Sequence, residues 1–534
     1  MTPVARIAEL ESTNARLQSD YSALQSNLSS MSTAYQSLEA DYENLKQQLA
    51  WFQRQVFGEK SEKRLEIDEA IQPSLLAALG VPEVALPPRP TETITYTRRS
   101  KVRTEETVLP AGLRFTDDAV IEEIQIDDPA FDALPDDQKE RIGEKVTWRI
   151  VQRPSSYAVL KMIRPVYKLT LSGEIVCAEA PPAIFPGCTA DVSVLAGLMI
   201  DKGLYHLPIY RQHQRMTDGG LILSRQTPLN WISRSLDLLT PIAAAMGRHI
   251  VETGTHLAMD ETPLKASRAG PGKMKQAYLW PIYGDQDEVV FHYAPSRAHA
   301  HVQTFLKGFT GTLISDGYSA YTAYAKRHGT LTHALCWAHA RRYFERAEKA
   351  DPKASAEALA LIGALYAHEQ IIRDKSLDGE SKRDYRTTHS EPIVHAFWQW
   401  CDAQLTRTDL TPKHPMSTAL KYVRQRREGL QTFLSDPDIP IDTNHLERVI
   451  RAIPMGRRNW LFCWSELGAK HIAVLQSLLV TCRLQGVDPY TYFVDVLNRV
   501  SVHPDKDILE LTPRIWKEKF GHDPLRSIVD IVAA

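Results

Sequence analysis

The sequence predicts a multidomain chain of mixed class: an N-terminal coiled coil, small β-rich and helix-turn-helix-like modules, and an α/β core with an all-α insertion. Three patterns carry this. Residues 7–56 repeat apolar side chains every seven positions, residues 254–340 alternate short apolar runs with helical ones, and residues 345–435 read as helix almost throughout. A length of 534 residues argues for several domains. Hydrophobic content of 43% and charged content of 24% are those of a globular chain.

The coil is expected at 5–57. One seam holds Ile7, Asn14, Tyr21, Leu28, Tyr35, Tyr42, Leu49 and Val56, the other Leu10, Leu17, Leu24, Met31, Leu38, Leu45 and Phe52. Such an array spans about 75 Å at 1.5 Å per residue. It either pairs with another copy or folds back on its own domain; the unbroken seam, with Asn14 to fix register, favours self-association. Residues 58–110 read as a basic, Pro-rich linker. Residues 111–188 alternate apolar and polar positions, as in YAVLKMIRPVYKLTL, and suggest a small β-rich module with a turn at Ser172-Gly173. Residues 189–245 turn helical. There LILSRQTPLNW places Ser224 before a short helix bearing Arg225, Gln226 and Asn230, residue types that read base edges in a major groove; an ordinary packed helix pair fits the same pattern.

The core is expected at 250–480, with the insertion at about 345–435 and a helical element at 481–534. Its strands are THLAMD, QAYLWPIYG, EVVFHYAP, GTLISD and LTHALC, its early helices AHAHVQTFLKGF and SAYTAYAKRHG. Three hairpin-linked strands followed by alternating helix and strand is the order of a ribonuclease H-like core. Two strands end in carboxylates, Asp260 and Asp316, and a third carboxylate, Glu447, follows on a later helix. Converging carboxylates repel one another unless cations sit between them. Two Mg²⁺ or Mn²⁺ ions suit such oxygen ligands and suit phosphodiester chemistry. Glu261, Asp442 and Glu466 compete for these roles, and a strand-terminal Asp is more often a plain turn residue.

Formal net charge is −2, so any DNA-binding surface must be local. Arg341, Arg342, Arg448, Arg451, Arg457 and Arg458 are candidate phosphate contacts, although plain helix-surface solvation is expected for at least half of them. Trp337, Trp460 and Trp464 suit base stacking or core packing. Cys336 and His339 lie one helical turn apart, too few to hold zinc alone, so packing or DNA positioning beside the carboxylates is expected. Six cysteines without a CxxC pair suggest reduced thiols in a cytoplasmic setting. No signal-peptide core and no membrane-length apolar run is present.

Over nearly its whole length the sequence resembles the insertion sequence 66 family of bacterial DDE transposases. The residues that carry this are MDETPLK around Asp260, SDGYSAY around Asp316, CWAHARRYF at 336–344 and IPIDTNHLERVIRAIPMGRRNWLF at 439–462. FGEKSEK after the coil, LPIYRQ, LSRQTPLNW and the tail HPDKDILELTPRIW add to it. The resemblance implies Asp260, Asp316 and Glu447 as catalytic metal ligands, transposon-end and target DNA as partners, and 3′-hydroxyl strand transfer. It also implies a nucleoid-associated setting and small accessory proteins of the same element. Two departures stand out. The family's cysteine-paired zinc module has here only Cys177, with Cys188 just beyond, so a metal-free β-rich module is expected. Thr443 and Asn444 stand where the family has two asparagines. The rival readings are a metal-dependent nuclease that does not join, and a catalytically silent coiled-coil DNA-binding protein.

Overall fold

The computed structural model describes residues 13–22, 25, 31, 106–109, 113–117, 119–128, 133–153, 156–270 and 272–532, and divides the chain into two compact units, 1–100 and 101–534. In the first unit the described residues are helical, with the seam residues Leu17, Tyr21 and Met31 exposed. The rest of the expected coil, and the linker up to residue 105, lie outside the described residues.

The second unit opens with a short antiparallel pair, β1 (Glu106–Val108) and β2 (Arg114–Thr116). A four-stranded sheet follows: β3 (Ile121–Gln125), β4 (Lys139–Arg153), β5 (Ser156–Leu169) and β6 (Ile175–Cys177). β4 pairs antiparallel along β5, while β3 and β6 share the other edge of β5. Gly173, at φ +70, makes the β5–β6 turn where the sequence placed it. Cys177 lies on β6 and Cys188 in the loop beyond. Burial pushes the Cys188 thiol up to about 11, and it donates to the Ala190 carbonyl at 3.4 Å. That is a packed, protonated thiol.

Helix α1 (Val192–Gly203) starts at Asp191, whose carboxylate accepts the Ser193 N–H at 2.9 Å. It is apolar on all sides and is buried from Val192 to Ile200. Helix α2 (Ile209–Asp218) leads to α3 (Gln226–Thr253). The short helix expected after Ser224 is corrected here. α3 has 28 residues, passes through Pro241 and buries Trp231 to Val251 along one face. At its start Arg225, Gln226 and Asn230 are exposed, as a reading head requires.

The central sheet holds β7 (His256–Met259), β8 (Thr262–Gly270), β9 (Lys273–Gly284), β10 (Val289–Ala294), β11 (Thr312–Ser315) and β12 (Thr332–Leu335). Its order is β10-β9-β7-β11-β12, with β8 also on β9. β9 is antiparallel to β7, β8 and β10, while β7, β11 and β12 run parallel. α4 (His299–Phe305) and α5 (Ser319–Arg327) make the connections. Strand periodicity divides the sheet between two cores. Leu257, Met259, Ile282, Val290 and Leu313 join α1 and α3 on one face; Ala258, Tyr283, Phe291 and Ile314 face the other. β8 is an addition to the expected strands.

The second face is covered by helices: α6 (Trp337–Ala347), α7 (Pro352–Asp374), α8 (Gly379–Tyr385), a π-helical turn (Arg386–Ser390), α9 (Glu391–Leu405), α10 (Pro415–Arg424) and α11 (Arg427–Ser435). Then come α12 (Asn444–Ile450), α13 (Ala452–Trp460) and α14 (Glu466–Leu484). α14 closes the β10 edge with hydroxyls. Ser477 Oγ accepts the Phe291 N–H at 2.8 Å, and Thr481 Oγ1 accepts that of Val289 at 3.1 Å. An edge strand is thus satisfied without another strand. The tail, α15 (Pro489–Arg499), α16 (Pro513–Lys519) and α17 (Ile528–Val532), brings Tyr492, Phe493 and Trp516 into the first core.

Candidate active site

Parallel pairing of β7 with β11 sets Ala258 opposite Ile314. Asp260 and Asp316 therefore leave the same ends of adjacent strands. The Asp316 turn is fixed from the helical layer. Tyr422 Oη donates to the Asp316 carbonyl at 2.7 Å, and Arg426 donates to the Gly317 carbonyl at 3.0 Å. Gly317 has φ +80, and a Cβ there would stand 2.6 Å from Arg426 Nε, so the turn accepts only glycine. One Asp316 oxygen accepts the Tyr318 N–H at 2.8 Å.

Glu447 sits on α12, and Cys336 holds the approach to that helix. Cys336 Sγ accepts the Thr443 N–H and Oγ1–H, each at 3.3 Å, and the Trp337 N–H donates to the Ile441 carbonyl at 3.1 Å. Burial raises the Cys336 thiol, which suits a positioning group and not a metal ligand. Asp442 accepts the backbone and side-chain N–H groups of Asn444, so both residues serve the start of α12. Arg342 reaches Glu447 Oε1 at 3.1 Å and His339 Nε2 at 3.1 Å. His339 is held neutral, first by burial and then by Arg342, and its buried Nδ1 has no partner.

The Asp260 carboxyl is held well above the usual carboxylate range, first by burial and then by Glu261, Asp316 and Glu447. Asp316 and Glu447 are therefore both close enough to oppose the ionisation of Asp260. Glu261 is engaged elsewhere. With its side chain 2% exposed, it pairs with Arg297 and accepts the Tyr321 hydroxyl at 2.6 Å. Glu466 opens α14 and acts on Tyr293. Among the described residues no three His, Cys, Asp or Glu side chains are already closed into a metal cage. The donors nonetheless suit a divalent cation. They are hard oxygens, no ion pair among the described residues reaches the buried Asp260, and Glu447 meets a cation, Arg342, from this same chain.

The candidate DNA contacts scatter. Arg341 pairs with Glu345 at 2.8 Å; Arg448, Arg451 and Arg458 are exposed; Arg457 donates to the Pro263 carbonyl. Arg225 lies over the Tyr210 ring at 5.3 Å, and Gln226 donates to Asn230 at 2.9 Å. Trp337 is buried and donates to the Leu430 carbonyl at 2.7 Å, so it is a core residue. The anchors Tyr422, Arg426 and Arg297 were not singled out in the sequence. They lie in ordinary charged runs, and only the fold brings them to the carboxylates.

The family model described as "Transposase IS66 family" matches residues 187–471, more than half of the chain. The chain belongs to the IS66 transposase family. A further model, "IS66 C-terminal element", matches residues 477–514, which include the β10-covering end of α14 and all of α15. A third, "Transposase C of IS166 homeodomain", matches residues 44–114, where the sequence pattern had suggested the end of a coil and a linker. Two relatives come from Sinorhizobium fredii. The uncharacterized protein y4qI is 30% identical over 398 residues, 72% of each chain, and y4hP is 27% identical over 494 residues, 87% of each. As an IS66 transposase the chain is a DNA-processing enzyme with a DNA-binding, homeodomain-like N-terminal region. Among the described residues no helix is long and apolar enough to cross a membrane.

Proposed function

We propose that this transposase cuts and joins DNA at Asp260, Asp316 and Glu447 on a ribonuclease H-like core, with two Mg²⁺ or Mn²⁺ ions held by these carboxylates. The observation that carries the reading is the in-register departure of Asp260 and Asp316 from adjacent parallel strands, with Glu447 near enough to raise the proton affinity of Asp260. The sheet order, three antiparallel strands followed by two parallel ones, supports the fold assignment. When bound, such ions activate the attacking oxygen and stabilise the leaving one.

The chain's own groups do the positioning. Asp260 and Asp316 are fixed by strand register, and Glu447 by the Cys336–Thr443 contact. Arg342, which pairs with Glu447, would be available to a DNA phosphate if that carboxylate held an ion instead. In the first step water forms a bond to the phosphorus at the transposon end, and the P–O3′ bond breaks to leave a 3′-hydroxyl. In the second step that hydroxyl attacks a target phosphodiester and displaces a new 3′-hydroxyl. Neither step requires a covalent bond to the protein. The coil of 5–57 would hold two ends together through self-association.

Joining of a pre-cut, 3′-hydroxyl oligonucleotide bearing the element's terminal repeat to plasmid DNA tests this. Joining that needs Mg²⁺ or Mn²⁺ and is lost in Asp260→Asn, Asp316→Asn and Glu447→Gln supports it. Joining that survives any one of these changes removes that residue from the site. Cutting without joining makes the chain a nuclease.

A further inference from the structure

Five non-glycine residues among those described have positive φ, and two of them, Ser267 and Leu461, lie on segments bridged to each other through Ala266 and Cys463, Ser267 on the strand that follows Asp260. Leu461 has φ 62 and ψ −57, and the Phe462 N–H donates to the Trp460 carbonyl at 2.7 Å. This is a γ-turn of the rare, strained kind. It is anchored to β8: the Cys463 N–H donates to the Lys265 carbonyl at 2.9 Å, and the Ser267 N–H to the Cys463 carbonyl at 3.1 Å. β8 itself begins two residues after Asp260. The strained tip then does something costly in water. It holds Leu461 59% exposed and Trp464 64% exposed, with Phe462 edge-on to Trp464 at 5.0 Å and Arg268 over the Trp464 ring at 4.6 Å. Backbone strain that exposes an apolar tip marks a contact surface.

Charge identifies the occupant. On the β8–β9 hairpin Lys265, Arg268, Lys273 and Lys275 are all exposed, and no Asp or Glu occurs from Thr262 to Gly284. From Ala452 to Ser465 the only charged residues are Arg457 and Arg458; Glu466 follows at the margin. A basic rim around an aromatic and an aliphatic tip suits a nucleic-acid strand whose bases are unpaired, since bases stack on the ring while the cations follow the phosphates. We infer that Leu461 and Trp464 form a wedge that engages unpaired DNA bases next to the scissile phosphate, with the β8–β9 hairpin holding the backbone. This rests on the carboxylates being the site of DNA cutting.

The test compares the full chain's affinity for a DNA fork, a duplex with several unpaired bases at one end carrying 2-aminopurine, and for the same duplex fully paired. The native chain should prefer the fork by about tenfold and change the 2-aminopurine emission, the scale of one stacked base. Trp464→Ala should bring the two affinities together while leaving the paired duplex bound as before. Leu461→Gly, which the backbone accepts without strain, should weaken fork binding with no loss of folding. Equal native affinities, or full fork preference in both variants, would overturn the wedge. A fall in sedimentation mass in Trp464→Ala would overturn it in favour of a contact between copies. Fork preference should persist in Asp260→Asn. Fork preference without joining by the native chain would sink the catalytic reading alone, and joining without fork preference the wedge alone.

Discussion

Two arginine–glutamate pairs sit within the same helical layer and do opposite things. Arg386 and Glu369 are 0% and 7% exposed and meet through two bonds, of 2.8 and 2.9 Å. Arg386 also donates to the Phe433 carbonyl at 2.7 Å and the Ile439 carbonyl at 3.1 Å. Every part of that pair is satisfied, and it clamps the loop that leads to α12. Arg342 and Glu447 are 43% and 32% exposed and share a single contact of 3.1 Å. The first pair cannot exchange partners without leaving a charge buried; the second can, at little cost. The fold thus sets its ionic specificity one step behind Glu447, the proposed metal ligand, and leaves that carboxylate itself free to change partners.

The largest effect is expected at the clamp. Arg386→Ala should destabilise the chain by about 3–5 kcal/mol in denaturant unfolding, because Glu369 and the loop carbonyls lose their partner inside the protein. A loss below about 1 kcal/mol would erase the contrast. Cys336→Ala should lower the joining rate about tenfold with little change in duplex affinity, as for groups that orient metal ligands from behind; unchanged joining would make Cys336 mere packing. Asp260→Asn should raise the Tm of the metal-free chain by a few degrees. The Asp260 carboxyl has a raised folded pKa, so the native chain holds a proton that the unfolded chain releases. Stability therefore falls as pH rises through that window, and the gain from Asn should grow over the same window. A Tm gain independent of pH would argue against the cause given. Arg342→Ala is expected to be the mildest, costing under about 1 kcal/mol because the pair is half exposed. It should also tighten Mn²⁺ binding, whereas weaker binding would show that Arg342 supports the site instead of standing in for an ion.

Much of the sheet was legible in the sequence because each strand is a short apolar run ending in a turn residue or a carboxylate, as in HLAMD and TLISD. β8 was not, since Pro263 near its start and polar Lys265, Ser267 and Arg268 hide an alternation that buries Thr262, Leu264 and Ala266. The length of α3 was also hidden. Pro241 suggests a break, but it lies on the exposed side, where the lost N–H bond and the ring are tolerated. Asp260, Asp316 and Glu447 stood out through strand and helix context. The residues that fix the Asp316 turn, Tyr422 and Arg426, did not, because their partners are backbone carbonyls distant in sequence, and no side-chain pattern encodes those. The strain at Ser267 and Leu461 has no sequence signal at all, since non-glycine residues rarely adopt positive φ.

The most direct test of the carboxylate site is a Mn²⁺ titration of the full chain, followed by the loss of the free-ion resonance signal, for the native protein, Asp260→Asn and Glu447→Gln. Saturable binding is expected for the native chain, with a large loss in Asp260→Asn and a weaker, still measurable site in Glu447→Gln. Identical Mn²⁺ uptake by all three chains would contradict it and move the metal site away from these residues.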